Sequence, residues 1–238
     1  MSLLISETFT SLQGEGKLTG VPTWFVRLSG CNMRCTWCDT PYASWNPEGT
    51  KRTVAELADE AHKSGVRHAV VTGGEPMIFK ELPDLCAQLR DKGMHVTIET
   101  AGTVYPDEWM NLACDLMSIS PKLANSTPAR TDERDPLGVW HDRHEARRIN
   151  IAVLRRMAGG FADQQMKFVV SSPSDLAEIE GLLAQVPEIR PGDVMLMPEG
   201  TRPPAAGTTD WVVGACIERG WRYCRRLHID LFGDTRGT

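Results

Sequence analysis

Short apolar runs recur along this chain, with amphipathic stretches between them. Residues 24–28, 69–72, 95–99, 116–119, 165–170, 194–197 and 227–231 are such runs and read as strands. The stretches 54–61, 79–92, 106–113, 141–157, 173–185 and 209–220 read as helices. Several ends are marked chemically: Thr53 and Glu56 have capping-box spacing, Ser172 is a candidate N-cap, and Gly65 and Gly93 follow helices as stops. Within residues 7–20, the two glycines of Gln13-Gly14-Glu15-Gly16 lie among polar residues and read as a loop. Residues 125–142, rich in Pro, Asp and Arg, read as the longest loop. Strand–helix alternation with short buried strands predicts an α/β fold: a parallel sheet with helices on its outer face. The strands are too few for a closed (β/α)8 barrel, so the expectation is an open, partial TIM-like barrel of about six strands forming a single domain over residues 1–238.

The unusual polar groups fall at the C-terminal ends of these strands, where such folds collect their chemistry. The first strand carries Arg27 between apolar neighbours, so alternation sends it to the face opposite Val26 and Leu28. An inward arginine needs an anion; an edge-strand arginine reaching solvent is the alternative. Cys31, Cys35 and Cys38 follow this strand directly. Three thiolates this close select zinc or iron–sulfur iron. Closed zinc sites take four ligands, and no fourth lies nearby, so the spacing favours a [4Fe–4S] cluster with one iron open to a non-protein ligand. The second strand ends in Gly73-Gly74-Glu75-Pro76, which exposes backbone groups and offers a carboxylate to an ammonium group. The third and fourth strands end in Glu99-Thr100 and Ser120-Pro121-Lys122.

Composition narrows the class. The 238 residues carry a net charge of −5, and 41% are hydrophobic, enough for a sizeable core. An acidic chain without a basic stripe argues against nucleic-acid binding, and the paired arginines at 147–148, 155–156 and 225–226 read as solvated faces. With no signal peptide and no membrane-length apolar run, the expected location is cytoplasmic and the cysteines are expected as thiols or metal ligands. Cys86, Cys114, Cys216 and Cys224 read as buried core residues. His141 and His144 share a helix face and read as solvent-facing.

The cysteine triad followed by Gly73-Gly74-Glu75-Pro76 resembles the radical S-adenosylmethionine (SAM) superfamily. Phe9 through Gly16, Trp37-Cys38-Asp39-Thr40, Glu99-Thr100, Ser120-Pro121-Lys122, Lys167-Phe168-Val169, Met197 through Gly200 and Leu227-His228 narrow the resemblance to the 7-carboxy-7-deazaguanine synthase family of queuosine-type biosynthesis. The resemblance spans almost the whole chain. It implies a carbon–nitrogen lyase that contracts 6-carboxy-5,6,7,8-tetrahydropterin to 7-carboxy-7-deazaguanine with loss of ammonia, using SAM as a regenerated cofactor.

The resemblance also implies roles. Cys31, Cys35 and Cys38 would hold the [4Fe–4S] cluster, and Thr40 would bind Mg2+. Trp37, Asp39, Gly74, Glu75, Ser120 and Lys122 would bind SAM. Leu12, Gln13, Gly14, Glu15, Arg27, Thr72 and His228 would line the pterin, with Arg27 on its carboxylate. A flavodoxin or ferredoxin would donate electrons, and the protein would be a homodimer. Two alternatives remain at this stage. A glycyl-radical activase shares the triad and Gly-Gly-Glu-Pro but does not require Gln13-Gly-Glu15 or Thr40. A zinc-stabilised binding module would have no catalysis.

Overall fold

The structure is a computed structural model that describes residues 1–109 and 111–238. Its strands are β1 (Ser2–Leu12), β2 (Pro22–Leu28), β3 (Thr50–Thr53), β4 (His68–Gly73), β5 (His95–Thr100), β6 (Leu116–Ile119), β7 (Gln164–Val170), β8 (Val194–Pro198) and β9 (Arg222–Tyr223). The helices are α1 (Val54–Lys63), α2 (Leu82–Asp91), α3 (Val139–Glu145), α4 (Ile151–Gly160), α5 (Asp175–Leu183), α6 (Asp210–Arg219) and α7 (Leu227–Phe232). One sheet runs β3-β1-β2-β4-β5-β6-β7-β8-β9. It is parallel from β2 to β9, with β1 and β3 added antiparallel at one edge. The sheet is open, as expected, because β3 and β9 do not pair with each other.

Register sorts the strand residues onto two faces. Val26, Val71, Ile98, Met117, Met166, Phe168 and Leu196 point outward and pack with the helices in the main core. The other parity faces inward: Arg27 pairs with Thr72 in register, and Glu99 with Ser118. The concave face is therefore polar at its C-terminal end, a property that short apolar runs conceal. Cys86, Cys114, Cys216 and Cys224 are buried, as expected. The Thr53–Glu56 capping box is formed at the start of α1.

Six local expectations are corrected. Residues 7–12, read as part of a loop, belong instead to strand β1, whose Thr- and Ser-rich sequence lacks a continuous apolar signature. Residues 227–231 form helix α7, not a strand; a five-residue apolar alternation is too short to fix a period. The expected 141–157 helix is two helices, separated by a turn at residues 146–150 where Asn150 caps α4. Ser172 does not cap α5: the Asp175 carboxylate takes the Ser171 and Ser172 N–H groups instead. The expected helix at 106–113 is absent among the described residues, which exclude Met110. His144, moreover, is fully buried rather than solvent-facing, because its ring fills the contact between α3 and the cysteine loop.

Candidate active site

The inner strand ends, the cysteine loop and the C-terminal tail enclose one cavity of about 570 Å³. Every residue expected at the site lines it except Glu75. Glu75 lies behind the wall, fully buried, accepting hydrogen bonds from Met77 N (3.0 Å), Thr100 Oγ1 (2.7 Å) and Ala101 N (2.7 Å). Burial raises its pKa, and the three donors counteract that rise. Its geometry ties the end of β4 to the end of β5.

The cysteine loop is held from the same place. Gly74 N donates to Leu28 O and Glu75 N to Gly30 O. A Cβ on Gly74 would stand 2.2 Å from Gly30 O and 2.6 Å from Ala43 O, so only glycine lets the two loops touch. Trp45 Nε1 donates to Cys35 O, Met33 N approaches Cys31 Sγ at 3.3 Å, and Ser44 Oγ lies 3.1 Å from Cys38 Sγ. All three cysteines open onto the cavity. Burial pushes the Cys31 thiol up, with Glu75 adding to it, and raises Cys35 to about 12 against the pull of Lys122. Thiolates so disfavoured need a cationic centre, which fits a metallocluster. Among the described residues, no three His, Cys, Asp or Glu side chains are gathered tightly enough for a single ion. Three thiolates on one cavity wall fit a cubane that leaves one iron to a non-protein ligand, whereas a closed zinc site takes four protein ligands.

Next to the triad, Lys122 Nζ is 3.1 Å from Ser120 Oγ and 5.5 Å from the centre of the Trp37 ring. Trp37 Nε1 donates to Asn125 O, which fixes the ring over the cavity rim. Thr40 precedes a 3₁₀ turn at Pro41–Ala43 but does not cap it; among the described residues its hydroxyl has only Asp39 Oδ1 at 3.4 Å and Cys38 Sγ at 3.8 Å. An oxygen left so lightly engaged fits a hard cation that keeps most of its own waters.

Across the cavity, charged groups interlock. Arg27 Nε donates to Glu7 Oε1 at 2.6 Å, which supplies the anion that an inward arginine needs. Glu7 also accepts from Tyr42 and from Arg236 of the tail. None of the described residues accepts from the two terminal nitrogens of Arg27, so its fork faces the cavity. Gln13 donates to Glu99 at 3.2 Å and accepts from Glu15 N at 3.0 Å. Glu15 pairs with Lys167 and lies 3.5 Å from Arg226. Burial opposes its charge, but Lys167 and Arg226 outweigh burial and hold the carboxyl down at about 2. A Cβ on Gly14 would meet His228 Nδ1 at 2.0 Å, so that glycine seats His228.

Sequence reasoning assigned no role to Glu7, Glu99, Lys167 or the tail, and it read Arg226 as part of a solvated face, whereas the Arg226 side chain is 10% exposed and lines the cavity beside Glu15. Lys167 was open to detection, being a lysine inside an apolar strand, the same signal that marked Arg27. Glu7 lay in a segment read as loop, and its pairing with Arg27 needs the β1–β2 register.

Residues 25–160 match the radical SAM superfamily. Over its full length the chain is 48% identical to 7-carboxy-7-deazaguanine synthase of Rhodopirellula baltica, covering 89% of that protein. It is 44% identical to the enzyme of that name from Halobacterium salinarum, again over the full chain and 93% of the relative. The chain belongs to the 7-carboxy-7-deazaguanine synthase family. The crystal structure of QueE from Escherichia coli superposes with a TM-score of 0.68 at 27% identity, covering 96% of this chain and 95% of that one. SuiB of Streptococcus suis, 12% identical with a TM-score of 0.53 over 81% of this chain and 46% of that one, shares the fold alone. Family membership accounts for a cysteine-bearing cavity at the strand ends of one open sheet.

Proposed function

We propose that this chain is a carbon–nitrogen lyase that converts 6-carboxy-5,6,7,8-tetrahydropterin to 7-carboxy-7-deazaguanine with release of ammonia. The observation that carries this reading is the open guanidinium fork of Arg27, locked by Glu7 and facing a cavity that also holds Cys31, Cys35 and Cys38. Cluster and SAM, when bound by the triad and by Trp37, Asp39, Gly74, Ser120 and Lys122, supply the hydrogen-abstracting radical.

The chain's own residues do the rest. Arg27 holds the substrate carboxylate by paired donors. Gln13, Glu15 and Glu99 present acceptors to the donor-rich pyrimidine edge of a pterin, and buried groups of this kind discriminate strongly against analogues that leave them unpaired. Thr72 and His228 close the pocket from two sides, and Leu12 and Gly14 bring its floor close to the ring. Thr40 would offer its hydroxyl to Mg2+, which would supply positive charge for the substrate. Glu75 supports this arrangement as a buttress, not as a contact to SAM. No helix among the described residues is long and apolar enough to cross a membrane.

The activase alternative does not call for the Gln13–Glu15–Lys167 network or the Arg27 fork. Iron and sulfide analysis after anaerobic purification tests the cofactor side. Near-equal iron and acid-labile sulfide support the reading; a colourless protein with stoichiometric zinc and no sulfide overturns it. Turnover of the carboxypterin with reductant, SAM and Mg2+ tests the substrate side.

A further inference from the structure

The segment between β6 and α4 takes little part in the pterin pocket, yet it is built against the outside of the cysteine loop. Arg134 Nη2 donates to Thr36 O at 3.1 Å, and Arg147 Nη1 to Asn32 O at 3.3 Å. Thr36 N donates to Ser126 O at 2.8 Å. Arg34 N donates to Nδ1 of buried His144 at 3.3 Å, while Nε2 lies 2.8 Å from Ser126 Oγ. With Nδ1 accepting, the ring proton sits on Nε2 and is shared with Ser126. The peg fixes α3 to the loop that carries the cysteines.

On the surface over this junction, arginines gather around an apolar centre. The Arg34 guanidinium lies 4.1 Å from the centre of the Trp140 ring and that of Arg143 lies 5.6 Å from it. Leu137 is 85% exposed and Val139 38% exposed beside them. Arg130 pairs with Asp142, Arg134 with Asp132 and Arg148 with Glu145 and Glu178. Arg34, Arg143 and Arg147, by contrast, have no acidic partner among the described residues, in a chain of net charge −5. Arg34 also donates to Cys31 O at 2.8 Å, so this patch begins one peptide from the triad.

We propose that Arg34, Trp140, Arg143 and Arg147 form the docking face for an acidic flavodoxin-type electron carrier. The inference rests on the radical SAM reading, which requires an electron at the triad. The residues proposed for SAM and substrate, together with the tail, line the cavity side, so the outer side of the loop is the side left for a donor. An apolar centre rimmed by unpaired arginines complements a carrier whose apolar flavin edge emerges among carboxylates. In the transfer, one electron leaves the reduced flavin and enters the cluster; no bond forms and no proton crosses the interface.

The test uses the anaerobically purified, cluster-loaded enzyme and a bacterial flavodoxin. Calorimetry measures binding of the oxidised flavodoxin at several salt concentrations to wild type, to Arg143→Glu and to the double variant Arg143→Glu/Arg147→Glu. Turnover is followed with either reduced flavodoxin or dithionite. Charge reversal is expected to weaken flavodoxin binding about tenfold or more, flatten its salt dependence, and leave dithionite-driven turnover unchanged. Unchanged flavodoxin affinity in both variants overturns the proposal, as does an equal loss of dithionite- and flavodoxin-driven turnover. Tighter binding of an acidic ferredoxin in the same titration overturns the flavin assignment. Wild-type enzyme inert with dithionite counts against the functional reading, and the binding arm still judges the docking face.

Discussion

Arg27 and Glu7 stand directly opposite each other across the antiparallel β1–β2 pair, with Nε and Oε1 2.6 Å apart. The pairing orients one edge of the guanidinium and leaves the other toward the cavity. Glu7 is itself fixed by Tyr42 OH at 2.9 Å and by Arg236 Nε at 3.1 Å. Arg236 also stacks on Tyr42, 4.1 Å from the ring centre, so the tail is fastened to the same point.

Arg27→Ala is therefore expected to raise KM for the carboxypterin by about 30-fold, a loss of ~2 kcal/mol for a charged hydrogen-bonded contact. SAM affinity, measured by equilibrium binding to the loaded enzyme, should barely change. Equal losses for both ligands would remove Arg27 from the carboxylate site.

Thr40→Ala should abolish or sharply reduce stimulation by Mg2+ while iron and sulfide content stay at wild-type levels. Thr40→Ser, which keeps the oxygen, should restore it. Full Mg2+ stimulation in the alanine variant would take Thr40 out of the metal site.

Glu75→Ala should lower the stability of the protein by about 3 kcal/mol, because Met77 N, Ala101 N and the Thr100 hydroxyl lose a shared buried acceptor. Denaturant unfolding of the cluster-free protein checks this. Intact stability combined with lost SAM affinity would instead give Glu75 a direct role at the cofactor.

Glu15 makes stability depend on acid. Its carboxyl is held at about 2, against an ordinary value of 4.5, by Lys167 and Arg226 acting against burial. A depressed carboxylate stabilises the fold fully above the unfolded value and loses that contribution as pH falls from about 4.5 toward 2, here on the order of 3 kcal/mol. Glu15→Gln should flatten the pH dependence of unfolding free energy in that window. An unchanged slope would mean that Lys167 does not hold Glu15 ionised.

Legibility in the sequence followed how local each signal was. The parallel strands and the outer helices announce themselves through apolar runs and caps, and the cysteine triad through spacing. Strand β1 did not, because only Leu3 and Ile5 of it are buried and Ser, Thr and Glu interrupt its other apolar residues, Leu4, Phe9 and Leu12. His144 looked like a surface histidine because its partners, Arg34 N and Ser126 Oγ, come from distant parts of the chain. The same holds for Glu15, Lys167 and Arg226, separated by 152 residues in the first pair alone. The Glu75 side chain turns toward β5 behind the cavity wall, a direction that cannot be inferred from a Gly-Gly-Glu-Pro turn. Residue type at a strand end marks the mouth of the barrel; which group faces the cavity is decided by register and by partners across it.

The central claim is most directly tested by incubating the anaerobic, cluster-loaded protein with reductant, SAM, Mg2+ and 6-carboxy-5,6,7,8-tetrahydropterin, and quantifying pterin, product, ammonia and SAM together. The account predicts 7-carboxy-7-deazaguanine and ammonia in equal amounts with SAM undiminished over many turnovers. SAM cleaved while the pterin remains intact would contradict it.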